Sequence, residues 1–288
     1  MDGTPAAVDG RAALKRWPLL VVALVGCACG CLAIGEHTRA ITFSLLATSV
    51  VVIAKPEWRL GSSRQRVRRR LPLNEAFAGS LQKLHTKPPI YSCADFISPA
   101  ECDALISLAS PHLVASTAGG NVESHGRTSK SCMLSRSRAE SKALLARCAE
   151  LTGHPAAHHE DPQVSRYLDG EFYEPHLDAP DRSDSDGKGF RRCGGTRLAT
   201  VLVYLNDVAQ GGETRFTKLG SPSSRLVQRP QKGKAILFFP ASPSGKADTR
   251  LEHEARPPRE GETKWVAQVW LRQRVDPTRT FIDNPHSV

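Results

Sequence analysis

The sequence predicts an α+β, mainly β fold: a double-stranded β-helix (jelly roll) with supporting N-terminal helices, preceded by a membrane anchor. Three observations lead there. Beyond Asp161 the chain breaks into short runs rich in β-branched and aromatic residues, separated by Gly, Pro and Ser clusters. Between residues 98 and 152 it carries two patterns at helical spacing. Its first seventy or so residues hold two apolar stretches and a basic segment, and do not read as globular.

Taken in order, residues 1–16 are an N-terminal tail containing Arg11, Lys15 and Arg16. Residues 17–35 and 40–54 are apolar and are separated by Glu36-His-Thr-Arg39. The first stretch is about long enough to cross a bilayer and the second is short for an independent span. Residues 17–54 therefore read as a membrane anchor, one span or a hairpin. A cleavable signal peptide is the alternative, but the apolar run begins late, is long, and is followed by a second one. Residues 55–88 form a basic, proline-punctuated linker with Arg59, Arg64, Arg66, Arg68, Arg69 and Arg70. Residues 1–75 hold eleven Lys and Arg against five Asp and Glu, which leaves only +4 of the formal +10 to the rest of the chain. The basic run thus reads as a juxtamembrane linker, and no nucleic-acid partner is expected.

The folded domain is expected over residues 89–275, with a C-terminal tail at 276–288. Ser98, Pro99 and the apolar spacing after them predict a helix, with serine as N-cap and proline at the first helical position. Residues 137–152 predict a second, with Leu144, Leu145, Cys148 and Leu151 on one side and Gly153 and Pro155 ending it. Strands are predicted at 163–167, 198–205, 213–216, 225–228, 235–239 and 264–271, an order that fits two wrapped sheets. Residues 179–195, rich in Asp, Ser, Gly and Arg, read as a loop, either a solvated insertion or a cover over substrate. Of eight cysteines, Cys27, Cys29 and Cys31 lie in the apolar stretch and are no zinc set. Cys93, Cys102, Cys132, Cys148 and Cys193 are odd in number, so at least one has no partner within the domain.

The segment Arg166-Tyr-Leu-Asp-Gly-Glu-Phe-Tyr-Glu-Pro-His176-Leu-Asp178 carries the chemistry. On a strand, residues two apart project from the same face, so His176 and Asp178 can grip one metal ion. His253, far downstream, supplies a third ligand. Two histidines and one carboxylate make the facial triad of non-haem Fe(II) oxygenases, which leaves coordination positions open. Lys264 begins an alternating run and shares a face with Val266, Gln268 and Trp270. An inward lysine needs a counter-anion. His154, His158 and His159 show how common uninvolved histidines are, and no role is expected for them.

Over residues 92–274 these pieces stand in the order of a known family. They are Cys93-Ala-Asp-Phe-Ile-Ser-Pro-Ala-Glu-Cys102-Asp, Arg127-Thr-Ser, Gln163-Val-Ser-Arg-Tyr167, Arg197-Leu-Ala-Thr200-Val-Leu-Val-Tyr204, Gly211-Gly-Glu-Thr-Arg-Phe216, Lys232-Gly-Lys-Ala-Ile-Leu-Phe238, His253 and Lys264. The chain resembles the prolyl 4-hydroxylases, which are Fe(II) and 2-oxoglutarate dependent dioxygenases. The resemblance implies His176, Asp178 and His253 as iron ligands and catalytic centre, with 2-oxoglutarate chelating the metal and O2 as the second cosubstrate. It further implies succinate and CO2 as coproducts and ascorbate as reductant. Lys264 would then bind the distal carboxylate of 2-oxoglutarate, and Tyr167 would hydrogen-bond the cosubstrate. Thr200 and Tyr204, on one face of their strand, are expected to contact the same ligand, and Trp270 to line a peptide groove. Each of these strand residues also has a plain core reading. The spacing from His253 to Lys264 is one residue longer than usual in the family, with the Pro257 to Glu262 turn available to absorb it and Arg259 as the fallback cation.

The implied substrate is proline within a proline-rich or collagen-like polypeptide, whose polyproline II geometry suits a groove. A different substrate for the same iron centre and a non-catalytic binding module are the competing readings. Basic flanks on both sides of the anchor favour a cytoplasmic domain by charge alone. Membrane-bound members of the family instead resemble type II proteins. An endoplasmic reticulum or Golgi membrane location with a luminal domain is therefore expected, the cytoplasmic-facing arrangement being the alternative.

Overall fold

The computed structural model describes residues 80–118, 122–123, 125–179, 194–276 and 288. The expected anchor at 17–54, most of the linker, Cys193 and most of the 179–195 loop lie outside these residues. Among the described residues no helix is long and apolar enough to cross a membrane.

The elements in chain order are β1 (Leu81–Thr86), β2 (Pro89–Cys93), α1 (Pro99–Ala109), β3 (Val114–Ala115), β4 (Thr117–Ala118), β5 (Val122–Glu123) and β6 (Lys130–Met133). There follow α2 (Ala139–Thr152), β7 (Gln163–Tyr167), β8 (Tyr173–His176), β9 (Arg197–Tyr204), β10 (Thr214–Ser221), β11 (Ser224–Gln228), β12 (Ala235–Phe238), β13 (His253–Ala255) and β14 (Lys264–Arg272). Eight strands form a large sheet in the order β1-β2-β12-β9-β14-β7-β6-β3, and four form a smaller one, β11-β10-β13-β8. The ribbon β4-β5 stands apart. This mainly β, two-sheet architecture with few helices fits the predicted jelly roll.

Both helices form for the reasons legible in their ends. Ser98 accepts from the Glu101 amide while the Glu101 carboxylate accepts from the Ser98 amide, a reciprocal capping box ahead of α1. Gly153 closes α2 in the left-handed region at φ 65°, where glycine carries no Cβ penalty. The helices cover one face of the large sheet. Leu105, Leu144, Leu145, Cys148 and Leu151 pack there with Val164, Val201, Val203, Ala267 and Val269 in one core. The opposite face meets the small sheet in a second core of Leu202, Tyr204, Phe216, Ile236, Phe238 and Val266. Because β9 and β14 lie centrally and are covered on both faces, they are buried along nearly their whole length. Their alternation sorts residues between two cores, not between core and water, and this puts Lys264 on the inter-sheet side with Val266.

The sheet begins upstream of the predicted boundary. Residues 81–86 were expected to be linker, yet β1 pairs antiparallel with β2 as an edge strand. Its alternation is hidden because Leu81 packs toward the helix core and Leu84 toward the inter-sheet core, with a register irregularity between Lys83 and His85. In the expected tail, Val288 hydrogen-bonds Met133 and Ser135. The described cysteines, Cys93, Cys102, Cys132 and Cys148, are all free and buried.

Phe216 and Phe238 meet edge to face at 5.3 Å between the sheets. Truncating Phe238, which is fully buried, should cost about 3–5 kcal/mol, read as a shift in the urea midpoint at constant slope. A loss under about 1 kcal/mol would show that the two sheets do not share this packed core.

Candidate active site

Two of the three expected metal donors sit opposite each other on neighbouring strands. His176 ends β8, His253 begins β13, and the two are register partners. Asp178 follows just beyond the end of β8 and turns back toward them. The ligating atoms of His176, Asp178 and His253 all lie within 4.8 Å of one another. His176 Nε2 stands 3.8 Å from Asp178 Oδ1, and His253 Nε2 stands 3.9 Å from Asp178 Oδ2.

Each imidazole is aimed by the same local device. Nδ1 of His176 lies 2.8 Å from the Glu174 carbonyl, and Nδ1 of His253 lies 3.0 Å from the Leu251 carbonyl. A carbonyl only accepts, so both Nδ1 atoms carry the proton and both Nε2 atoms present a lone pair toward Asp178. His253 Nε2 is buried with no hydrogen-bond partner. A buried unpaired acceptor costs about 1–3 kcal/mol, and a metal ion between the three donors is the partner that removes that cost. Burial holds His176 at a pKa of about 3, with His253 adding to the effect, so its imidazole is neutral and able to ligate. Burial pushes the Asp178 carboxyl up, but His253, His176, Arg197 and the Thr200 hydroxyl outweigh it and hold the group below the ordinary carboxylate range. The donor set is two imidazole nitrogens and one carboxylate, which suits Fe(II) and leaves open positions.

The same cleft reaches Lys264. Its walls include Tyr167, Tyr173, His176, Leu202, Thr214, His253, Lys264, Val266 and Gln268. Lys264 is 1 % exposed, and its ammonium makes no ion pair among the described residues. Aromatic rings flank it, with Nζ 5.1 Å from the Tyr167 ring and 6.0 Å from that of Tyr204. Burial pushes its pKa down to about 7, with Glu213 the nearby carboxylate that pulls the other way. Tyr167 is its register partner on β7. The longer spacing before Lys264 is absorbed in a turn where Glu260 and Gly261 take positive φ and Arg259 donates its amide to the Gln210 carbonyl. Arg259 is not among the cleft's walls.

Thr200 and Tyr204 have other partners than the expected cosubstrate. Thr200 donates to Asp178 Oδ2 at 2.6 Å, which fixes the carboxylate's orientation. The Tyr204 hydroxyl donates toward Thr214 Oγ1 at 2.9 Å and the Gln228 carbonyl at 3.2 Å, fully buried. All three of Thr200, Leu202 and Tyr204 share a face, but only the middle one, Leu202, opens into the cleft. Trp270 is likewise outside the cleft walls; it lies under the Arg197 guanidinium at 3.8 Å, and its indole Nε1 has no partner. His159 is buried between Thr152 and the Pro155 carbonyl, and His154 and His158 pack edge to face. None of them joins the donor set.

Several residues near the centre were not singled out by sequence reasoning. Tyr173 stacks on His176, Arg127 lies over Tyr173, and Arg197 forms a two-pronged pair with Glu160 at 2.7 and 3.0 Å beside Asp178. Arg127 and Arg197 stand inside recognised motifs, so position was visible but not role. Tyr173 is three residues from His176, which in a regular strand means opposite faces. A register irregularity between β8 and β13 undoes that parity.

Comparison with known proteins bears on this site directly. The 2OG-Fe(II) oxygenase superfamily matches residues 162–272, a span that includes every donor described above. The chain is 36 % identical over 203 residues to prolyl 4-hydroxylase 1 of Arabidopsis thaliana, covering 65 % of this chain and 70 % of that protein. It is 35 % identical over 195 residues to prolyl 4-hydroxylase subunit alpha-1 of Gallus gallus, where it covers 65 % of this chain but only 36 % of the relative. Among solved structures, the 2OG complex of the viral collagen prolyl hydroxylase from Paramecium Bursaria Chlorella virus-1 aligns with 26 % identity and a TM-score of 0.49, covering 63 % of this chain and 94 % of that one.

Replacing Thr200 with Val keeps the shape and removes the donor to Asp178. Mn(II) affinity, measured without cosubstrate, should fall about tenfold or more. Wild-type affinity in that variant would show that the Thr200 bond does not orient the carboxylate.

Proposed function

The chain belongs to the prolyl 4-hydroxylase family, and we propose that it hydroxylates proline within an extended polypeptide, consuming 2-oxoglutarate and O2 and releasing succinate and CO2. The observation that carries this is the meeting, in one cleft, of the two imidazole donors, of which the buried His253 Nε2 has no hydrogen-bond partner, with a buried ammonium that makes no ion pair among the described residues. Either alone is costly to bury; together they match a metal bound at one end of a dicarboxylate that bears a free carboxylate at the other.

Bound together, iron(II), 2-oxoglutarate and O2 supply an oxidative decarboxylation whose yield is the hydroxylation of an unactivated carbon. The protein's part is placement and exclusion of water. His176, Asp178 and His253 would hold the metal, with Thr200 steadying the carboxylate. Lys264 would take the distal carboxylate of the cosubstrate, with the Tyr167 ring 5.1 Å from its ammonium. Leu202 and Val266 make the wall between them apolar, which strengthens the ionic contact and keeps water out. Proline-rich segments are extended before they bind, which lowers the cost of entering a groove. Trp270 would contribute to that groove from beside Arg197. The family resemblance also supports ascorbate as the reductant.

The proposal extends to the N-terminal region on sequence grounds alone. Residues 17–54 would anchor the chain to an endoplasmic reticulum or Golgi membrane with the catalytic domain in the lumen. Protease added to sealed microsomes should leave that domain intact; its digestion would place it in the cytoplasm.

The activity is tested by incubating the purified chain with Fe(II), 2-oxoglutarate, ascorbate and poly-proline or collagen-like peptides. Peptide gaining the mass of one oxygen atom, with succinate in equal amount, is the expected result. Succinate formed without peptide oxidation would reject proline as the target. Replacing His176 with Ala should abolish metal binding and turnover together, and unchanged product would refute its role as ligand.

A pH dependence follows from Lys264. The ammonium form binds the distal carboxylate, and in the free enzyme that form is lost as pH rises through about 7. The groups facing it are Tyr167, Tyr204 and Glu213. The KM for 2-oxoglutarate should therefore rise between pH 7 and pH 9, and binding above pH 7 should take up protons. A flat KM across that range, or equal binding by Lys264→Met, would remove Lys264 from the cosubstrate site.

A further inference from the structure

The two iron-facing histidines are supported unequally. His253 is 2 % exposed and hemmed by Phe238 at 4.9 Å and Phe216 at 5.7 Å between ring centroids. Among the described residues no phenylalanine ring stacks on or packs against His176, and its side chain is 17 % exposed. Its Nδ1 bond to the Glu174 carbonyl fixes one point of the ring but leaves the plane free to swing about that point. What meets that plane is Tyr173, stacked at 3.6 Å with only 15° between the rings.

Tyr173 is itself held. The Arg127 guanidinium lies 4.7 Å from the Tyr173 ring centroid, and with His176 on one face of the phenol this leaves the guanidinium the other. Arg127 is 8 % exposed. Its fork is pinned by four neutral acceptors: Ser129 Oγ at 3.2 Å, the Thr117 carbonyl at 3.2 Å, Gln163 Oε1 at 3.1 Å and Ser165 Oγ at 3.1 Å. No carboxylate pairs with it among the described residues. A buried cation without a counter-charge gains from the negative face of an aromatic ring, and the planar guanidinium is suited to lie flat on one. The backbones of Arg127 and Tyr173 are also bridged antiparallel, so the two residues are tied at both main chain and side chain.

We propose that Arg127 and Tyr173 are positioning residues for the metal: a guanidinium, phenol and imidazole stack that locks the plane of His176 so that Nε2 faces the ion. The inference rests on the iron reading above and adds to it a mechanical support for the more exposed of the two histidine ligands. Phe216 and Phe238 do for His253 what this stack does for His176. Groups behind a metal ligand commonly govern affinity by about 10–100-fold, and a planar aromatic partner is the feature that matters here, not the tyrosine hydroxyl.

The test is Mn(II) binding to the full chain, followed by electron paramagnetic resonance without 2-oxoglutarate or peptide, alongside thermal unfolding of the metal-free protein. Tyr173→Phe keeps the stack and should hold the Kd within about twofold, whereas Tyr173→Leu should raise it about tenfold or more. Arg127→Lys keeps the charge but loses the planar fork, and should weaken binding at least about threefold. Tyr173→Leu with wild-type Mn(II) affinity, or with only a changed peptide KM, would overturn the proposal. Should Tyr173→Leu fail to fold, Arg127→Lys decides by the same criterion, wild-type affinity refuting the stack. Wild-type chain that binds no Mn(II) would instead bring down the iron reading on which this one stands.

Discussion

Two backbone carbonyls determine what this centre can be. The carbonyls of Glu174 and Leu251 accept the Nδ1 protons of His176 and His253 respectively, which fixes the tautomer of both rings and turns both Nε2 lone pairs toward Asp178. In each case the carbonyl belongs to the residue two positions earlier, so the device is local in sequence. What the fold must add is only the pairing of β8 with β13, which brings the two rings to 4.4 Å. The small sheet carries the two imidazoles, and the large sheet supplies Thr200 beneath the carboxylate and Lys264 at the far end of the cleft.

Around that centre the supports form layers. Thr200 holds Asp178; Glu160 holds Arg197, whose positive charge favours the ionised Asp178; Phe216 and Phe238 press on His253. Each layer substitutes a fixed protein dipole, charge or ring for water. Among the described residues the cost is visible in the cleft at His253 Nε2, which has no hydrogen-bond partner, and at the Lys264 ammonium, which makes no ion pair, and a ligand there would offset it. A metal ion would satisfy the nitrogen lone pairs, and the far carboxylate of a dicarboxylate bound to that ion would satisfy the ammonium, so membership of the prolyl 4-hydroxylase family and the physical demands of the cleft lead to the same chemistry.

Much of this was legible in the sequence. Both helices were, because Ser98, Pro99 and Gly153 are punctuation that acts locally. The central strands were, because continuous apolar runs such as residues 198–205 are unambiguous even when covered on both faces. The donor set was visible as three residue types in family order, and so was the inward lysine. The edge strand β1 was not, since its two leucines serve different cores. Nor were the partners of Thr200 and Tyr204: period-two alternation says which face a residue occupies, not how deep along the strand the cleft opens. Tyr173 escaped for the complementary reason, an irregular register that broke the parity from which its face would have been read. Sequence pattern, in short, reports direction, while the site depends on depth and on bulges.

The most direct measurement is a crystal structure of the chain grown without oxygen in the presence of Mn(II) and 2-oxoglutarate. The account requires one anomalous peak about 2.2 Å from His176 Nε2, His253 Nε2 and an Asp178 oxygen, with the distal carboxylate of 2-oxoglutarate against the Lys264 ammonium. A peak held by other residues, or a cosubstrate pointing its free carboxylate away from Lys264, would contradict it.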